Sequence, residues 1–213
     1  MADTADTRVP GSPGGRARAS LIAFEGLDQS GKETQARLLR ARLEQAGHRV
    51  ESLTFPDDTT TIGQEIRAGL STRSYPADVM QLLYIANRHE RKEAIEGWLA
   101  SGAVVICDRY LASSVAYGEA HGLSADWLID TQRFLPQPSL TILLDIAPET
   151  ARARKAAGRD KYESDLDLLA RVRQSYRGLA ARLPNWVMFD GERSRDDVQA
   201  AISETVASRL GLP

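Results

Sequence analysis

The sequence predicts an α/β fold in which a five-stranded, parallel, doubly wound sheet is flanked by helices. Three observations carry this expectation. Short apolar runs alternate with helical patterns along the chain. One of those runs, Ala103 to Cys107, is continuously apolar, as strands covered on both faces are, and Leu140 to Leu144 repeats the pattern with Thr141 inside it. The chemically distinctive residues follow strand ends, where such sheets bind ligands. At 213 residues the chain suits one domain with a substantial core, and it shows no internal repeat or linker.

Residues 1 to 18 are rich in Ala, Asp, Gly, Pro and Arg, lack an apolar core, and are expected to form a disordered tail before a single domain over 19–213. Leu21 to Phe24 is the first strand. A helix starts at Lys32, with Ala36, Leu39, Leu43 and Ala46 at helical spacing and Gly47 at its stop. Val50, Leu53 and Phe55 mark the second strand, and Pro56-Asp57-Asp58 breaks it. Thr60 or Thr61 is placed to cap a short helix ending near Leu70. Ser74-Tyr75-Pro76 opens a longer helical region reaching Leu99, with Gly102 beyond it. The third strand ends at Asp108 and the fourth at Asp145. Pro148 suits the first turn of the next helix. Trp186 to Phe189 is the fifth strand, and Asp196 to Leu210 a closing amphipathic helix with Val198, Ile202, Val206 and Leu210 on one face.

Composition narrows the partners. Lys and Arg total 27 against 29 Asp and Glu, so no global field points to nucleic acid or to a membrane surface. No apolar run approaches the roughly 18 residues of a membrane span. The single cysteine, Cys107, excludes an internal disulfide and belongs in the core; His48, His89 and His121 show no zinc spacing. A cytoplasmic protein acting on small molecules is expected.

The chemistry concentrates in Leu21 to Thr34. Gly26-Leu27-Asp28-Gln29-Ser30-Gly31-Lys32 has the spacing of a phosphate-binding loop set between a strand and a helix. Glycines let backbone N–H groups turn around a phosphate, the helix N-terminus adds about half a positive charge, and Lys32 supplies a point charge for the outer phosphates. Where the pattern asks for a metal-binding Ser or Thr the chain has Glu33, with Thr34 next. Asp108 ends an apolar strand, a place for an acid that serves Mg²⁺, and Arg109 beside it suits a phosphate; an Asp108–Arg109 ion pair is the plainer alternative. Tyr84 and Arg88, four apart, share a helix face. They are placed either to stack on a base and grip a phosphate or to form an exposed cation–π pair, and spacing alone favours the exposed pair. Between Ala151 and Lys161 lie Arg152, Arg154, Lys155, Arg159 and Lys161, a basic run around Gly158 that reads either as a solvated face or as a lid over about 151–163.

Taken together, these stretches resemble the thymidylate kinase family of nucleoside monophosphate kinases, over nearly all of Leu21 to Leu210. The carriers are Phe24 to Gln35, Phe55-Pro56, Ala86-Asn87-Arg88, Asp108-Arg109-Tyr110 with Ser114-Val115-Ala116-Tyr117, and Leu140 to Asp145. The resemblance implies a P-loop NTPase fold and transfer of the ATP γ-phosphoryl group to dTMP on the way to dTTP, with Mg²⁺ as cofactor and a homodimer as assembly. It implies an ATP site at Gly26, Leu27, Asp28, Gln29, Ser30, Gly31, Lys32, Glu33 and Thr34. The monophosphate would meet Asp28 at the sugar 3′-hydroxyl, Arg88 and Arg109 at the phosphate, and Tyr84 against thymine; Phe55 and Ser114 complete the site, and Tyr117 crowds the 2′ position. Asp108 and Glu33 would serve the metal. Lys32, Asp28, Arg109 and Arg154 form the expected catalytic set. Because the loop offers Gln29, the transferred charge falls to Arg152, Arg154 or Arg159, with Arg154 the expected choice. Glu33, Asp58 (where many relatives place an arginine) and Gly118 (where bacterial relatives often carry a glutamine facing the base) are departures. They keep two other readings in view: a kinase for another pyrimidine or modified deoxynucleoside monophosphate, and a nucleotide-binding relative without transfer activity.

Overall fold

Parallel strands cannot be joined by tight turns, so each return to the sheet needs a crossover, and here helices supply it. The structure, a computed structural model, describes residues 19–154 and 165–213. The expected tail, and Arg159 with most of the expected lid, lie outside the described residues. In chain order the elements are β1 (Ser20–Glu25), α1 (Lys32–Gln45), β2 (Val50–Thr54), α2 (Thr61–Ser71), α3 (Ala77–Glu90), α4 (Lys92–Ala100), β3 (Val104–Asp108), α5 (Leu111–Ala120), α6 (Ala125–Thr131), β4 (Leu140–Asp145), α7 (Pro148–Arg154), α8 (Leu166–Arg182), β5 (Trp186–Asp190) and α9 (Arg195–Leu210). All five strands are parallel in the order β2-β3-β1-β4-β5.

Alternation along each strand divides the core between the two faces. Ile22 and Phe24 of β1 point to one face, where Leu39 and Leu43 of α1 and Val198, Ile202 and Val206 of α9 cover them. Leu21 and Ala23 point to the other, with Val105 and Cys107 of β3 and Ile95 of α4. Cys107 is a free, buried thiol within this layer. A further cluster continues on that side, built from Val115 and Ala116 of α5 and Leu169, Val172 and Tyr176 of α8.

Two helix boundaries follow from specific side chains. Thr60 caps α2 by accepting a hydrogen bond from the Gly63 N–H. The helical region expected from 74 to 99 is two helices, broken at Arg91. There the chain takes φ −102° and ψ −1° while the Arg91 side chain reaches across to Asp57 at 2.6 Å, so the break re-aims an anchoring arginine.

The register sets the site. Phe24 is paired with Asp108 across β1 and β3. The Arg109 N–H donates to the Phe24 carbonyl at 2.9 Å, and the Phe55 N–H to the Asp108 carbonyl at 3.0 Å. The chain segments leaving β1, β2 and β3 therefore emerge side by side at the carboxyl edge of the sheet, where the strand order turns about β1.

Candidate active site

The loop after β1 is built as a phosphate cradle. Gly26, Gln29 and Gly31 take positive φ angles of 138°, 62° and 95°. Such turns line up successive backbone N–H groups toward an anion. Gly26 has no alternative, because a Cβ there would lie 2.4 Å from the Leu144 carbonyl oxygen. Gly31 starts α1 without any side-chain cap, which leaves first-turn N–H groups available to a ligand. Lys32 is 5% exposed and donates to the carbonyls of Gly26 at 3.1 Å and Leu27 at 2.8 Å. Burial, reinforced by the nearby Arg109 charge, pushes its pKa down to about 8 against the pull of Asp28, Asp108 and Glu25.

At the end of β3, Arg109 does not pair with Asp108. It adopts φ 61° and forms an ion pair with Asp28 of the phosphate loop. It also donates to Ser113 Oγ at 3.3 Å and lies 5.4 Å from the Tyr117 ring centroid. Burial, the largest influence, opposes its charge, but Asp28 together with Tyr117 and Tyr176 raises its pKa well above the ordinary arginine value. The plainer Asp108–Arg109 reading is thereby replaced: the Arg109 guanidinium turns to Asp28 and leaves the Asp108 carboxylate aside.

Asp108 instead keeps Oδ1 buried with no hydrogen-bond partner. Burial raises its pKa, Lys32 and Arg109 oppose the rise, and Glu25 and Glu33 add to it. Glu33 itself is exposed at the start of α1. An orphan carboxylate oxygen with a second acid nearby suits a hard cation such as Mg²⁺. Among the described residues no group of three or more acids, histidines or cysteines gathers to hold a metal. Such a cation would thus depend on phosphate oxygens and water for its other ligands.

Beside the loop opens a cavity of about 330 Å³. Asp28, Phe55, Tyr84, Arg88, Arg109, Ser114 and Tyr117 all line it, which brings together every residue expected at the monophosphate. Arg88 is 2% exposed, so the exposed cation–π pair is excluded. Packing by Phe55, whose centroid lies 5.9 Å from the guanidinium, and the approach of α5 bury it where helix spacing alone suggested solvent. Arg88 donates to Ser114 Oγ at 2.8 Å and Gln132 Oε1 at 3.3 Å, while its Nε is buried and unpartnered. It pairs with no carboxylate among the described residues. Tyr117 is pushed up in pKa by burial and stays a neutral phenol.

Comparison with known proteins agrees with this geometry. A family model described as thymidylate kinase matches residues 24–202. The thymidylate kinase of Arabidopsis thaliana is 35% identical over 194 residues, covering 91% of this chain and 73% of that protein. The human thymidylate kinase is 35% identical over 187 residues, covering 87% of this chain and 88% of that protein. The chain belongs to the thymidylate kinase family. A solved thymidylate kinase structure from Candida albicans superposes with a TM-score of 0.80 at 31% identity, covering 90% of this chain and 92% of that one.

This family member carries features that spacing did not disclose. Glu25, fully buried, accepts from the Tyr110 N–H at 2.9 Å, Ser113 Oγ at 2.7 Å and the Tyr176 hydroxyl at 3.1 Å. It thereby ties β1, α5 and α8 together directly behind Arg109. Asn87, fully buried, grips the Asp57 backbone by accepting from its N–H at 2.8 Å and donating to its carbonyl at 3.2 Å. Arg173 holds Asp145 through two bonds of 2.7 and 2.8 Å. Of the lid arginines, Arg154 donates to the Gln29 carbonyl at 3.2 Å and the Gly191 carbonyl at 3.0 Å, which sets it on the phosphate loop; Arg152 is exposed. Asp58 sits outside the cavity in an exposed pair with Arg67 at 2.8 Å.

Proposed function

We propose that this chain phosphorylates dTMP to dTDP, with ATP as donor and Mg²⁺ as cofactor. The observation that carries the proposal is Arg88. It is a buried arginine with no anionic partner among the described residues, facing a nucleotide-sized cavity against the phosphate loop. Family membership supplies the reaction class, and does not favour the alternatives of a different acceptor or of binding without transfer.

The residues divide the work. The loop amides from Gly26 to Lys32 and the α1 N-terminus hold the ATP phosphates, and Lys32 leaves its loop carbonyls for the outer phosphates. Arg88 and Arg109 hold the acceptor phosphate in line, Asp28 accepts from the sugar 3′-hydroxyl, Tyr84 stacks on the base, and Tyr117 crowds the 2′ position. Arg154, anchored on the carbonyls of Gln29 in the loop and Gly191 after β5, turns its guanidinium toward the transferred group, with Arg152 and Arg159 as its alternates. Asp108 and Glu33 would hold Mg²⁺, which would supply charge neutralisation at the phosphates. Little covalent chemistry is needed, since positioning and charge neutralisation carry phosphoryl transfer.

No described helix is long and apolar enough to cross a membrane. A homodimer acting in the cytoplasm, without nucleic acid, completes the proposal; light scattering tests the dimer. The decisive assay follows ADP formation from ATP and Mg²⁺ with a panel of nucleoside monophosphates. We expect dTMP to give the highest kcat/KM. Turnover confined to another monophosphate would replace the acceptor, and nucleotide binding without any ADP formation would remove the activity.

A further inference from the structure

The turn after β5 holds a charged side chain that the assignments above leave unused. Glu192 Oε1 accepts from the Ala147 N–H and from the Thr150 hydroxyl, both at 2.8 Å. The Ala147 N–H first, and then the Thr150 hydroxyl, hold the Glu192 carboxyl below its ordinary range, so it is charged at neutral pH. The Glu192 N–H donates in turn to Asp190 Oδ1 at 2.9 Å, which fixes the backbone of the turn.

Both donors to Glu192 belong to the start of α7. The Ala147 carbonyl accepts from the Ala151 N–H at 3.0 Å, so Ala147 stands at the N-cap, where alanine has no side-chain oxygen to offer. Glu192 supplies that oxygen from 45 positions away, with a negative charge that a helix N-terminus favours. At the other end of this seven-residue helix, Arg154 donates to the Gly191 carbonyl at 3.0 Å and the Gln29 carbonyl at 3.2 Å. The Gly191-Glu192 turn therefore holds both ends of α7. It is itself wedged against the phosphate loop: a Cβ at Gly191 would lie 2.8 Å from Ile146 Cγ2 and 3.3 Å from the carbonyl oxygens of Asp145 and Ser30. Pro148 and Ala151 are buried and keep α7 on the core, but apolar packing is non-directional and does not fix how the helix is turned. A hydrogen-bonded carboxylate does.

We infer that Glu192 is a positioning residue for phosphoryl transfer: by capping α7 it sets the helix that carries Arg154, and with it the place from which the guanidinium reaches the transferred group. The inference rests on the reading of Arg154 as the arginine of the transfer step. A misplacement of about 1 Å in a group acting at that step costs up to roughly a hundredfold, and the loss falls on kcat more than on substrate affinity.

The test is a double-mutant cycle in which kcat and both KM values are measured for Glu192→Ala, Arg154→Gln and the double variant. Glu192→Ala is expected to lower kcat about tenfold, to leave the KM for ATP and for dTMP within about twofold, and to melt within about 4 °C of the wild type. In the Arg154→Gln background the same change is expected to cost less than about twofold, because no arginine remains for Glu192 to position. Glu192→Gln, which keeps an acceptor oxygen at the same reach, is expected to fall between wild type and Glu192→Ala. Normal kcat in Glu192→Ala, or an equal loss in both backgrounds, overturns the inference. If Glu192→Ala does not fold, the cycle is run with Thr150→Val, which removes one donor and keeps the shape; a loss of about threefold confined to the Arg154 background supports the inference, and a loss equal in both overturns it. Normal kcat in Arg154→Gln alone strikes the reading of Arg154 and this inference with it, so that failure is distinguishable from a failure of Glu192 alone.

Discussion

Replacing Lys32 by methionine should stop transfer and yet leave the nucleotide-free protein at least as stable as before. The side chain is 5% exposed, and burial with Arg109 nearby holds its pKa at about 8 instead of the ordinary 10.5. That displacement corresponds to ~3 kcal/mol of charge penalty in the folded state at neutral pH. Methionine removes the penalty but strands the Gly26 and Leu27 carbonyls, which now accept at 3.1 and 2.8 Å, at about 1 kcal/mol each. The balance is a gain of ~1 kcal/mol, or about 2–4 °C in Tm for a chain of this size. The sign with pH is fixed. Below pH 8 both folded and unfolded chains carry the lysine charge and the penalty is complete. Between about 8 and 10.5 the unfolded chain binds more protons, so the wild type gains stability as pH rises, and Lys32→Met loses that contribution. Melting curves at pH 7 and 9.5, with and without ATP and Mg²⁺, read all of this. Turnover should fall on the order of a hundredfold or more, since the contact strengthens mainly in the transition state. A Tm drop of several degrees without nucleotide would show that Lys32 is a structural clamp, and near-normal turnover would remove the phosphate-loop assignment.

The remaining predictions concern the acceptor side, the lid and the buried carboxylate. Arg109→Ala should lower kcat/KM for dTMP by about a hundredfold while changing the KM for ATP little, because its partners Asp28, Ser113 and Tyr117 all line the acceptor cavity; a defect confined to ATP reverses the assignment. Neutralising Arg152, Arg154 and Arg159 singly to glutamine should expose one variant, expected to be Arg154→Gln, with kcat down roughly a thousandfold and ATP binding intact. Normal turnover in all three would leave the transferred charge to Lys32, Arg109 and the metal. Tyr176→Phe should cost about 1 kcal/mol in a thermal melt and raise the KM for dTMP more than that for ATP, because its hydroxyl holds Glu25 and Ser113 behind Arg109. Equal changes in both KM values would make it a packing residue.

The parts of this fold that were legible beforehand are those whose sequence pattern and burial share a period. β1, β3, β4 and β5 appear as largely apolar stretches and β2 as spaced apolar residues, while α1 and α9 show one buried stripe each. Helix α5 was not legible because Ala112 to Ala116, Gly118 and Ala120 are all buried, so no polar face marks its period. The site was legible where backbone geometry dictates residue type, as at Gly26 and Gly31. It was illegible where three-dimensional proximity decides. Arg109 meets Asp28 across 81 positions, and Tyr176 meets Glu25 across 151, separations that carry no local signal. Spacing alone could not give the burial of Arg88 for the same reason: helix spacing gives its face, while Phe55, Ser114 and Gln132, all distant in sequence, bury it.

The cationic groups at this site differ in what each must give up to meet a phosphate. Lys32 must release two carbonyls, and Arg154 two more. Arg109 is engaged by Asp28, the residue assigned to the sugar hydroxyl. Among the described residues Arg88 has neutral hydrogen-bond partners in Ser114 and Gln132, and a buried Nε with nothing to donate to. An incoming monophosphate therefore gains most, and displaces least, at Arg88. On the proposed assignment its sugar hydroxyl would then compete for Asp28, and any loosening of the Asp28–Arg109 pair would free Arg109 for the same phosphate. Capture at Arg88 and recruitment of Arg109 are then coupled through Asp28. Asp28→Asn, which keeps the acceptor oxygen but not the charge, should weaken that coupling: the Arg88→Ala and Arg109→Ala losses in dTMP affinity, non-additive in the wild-type background, should approach additivity in the Asp28→Asn background.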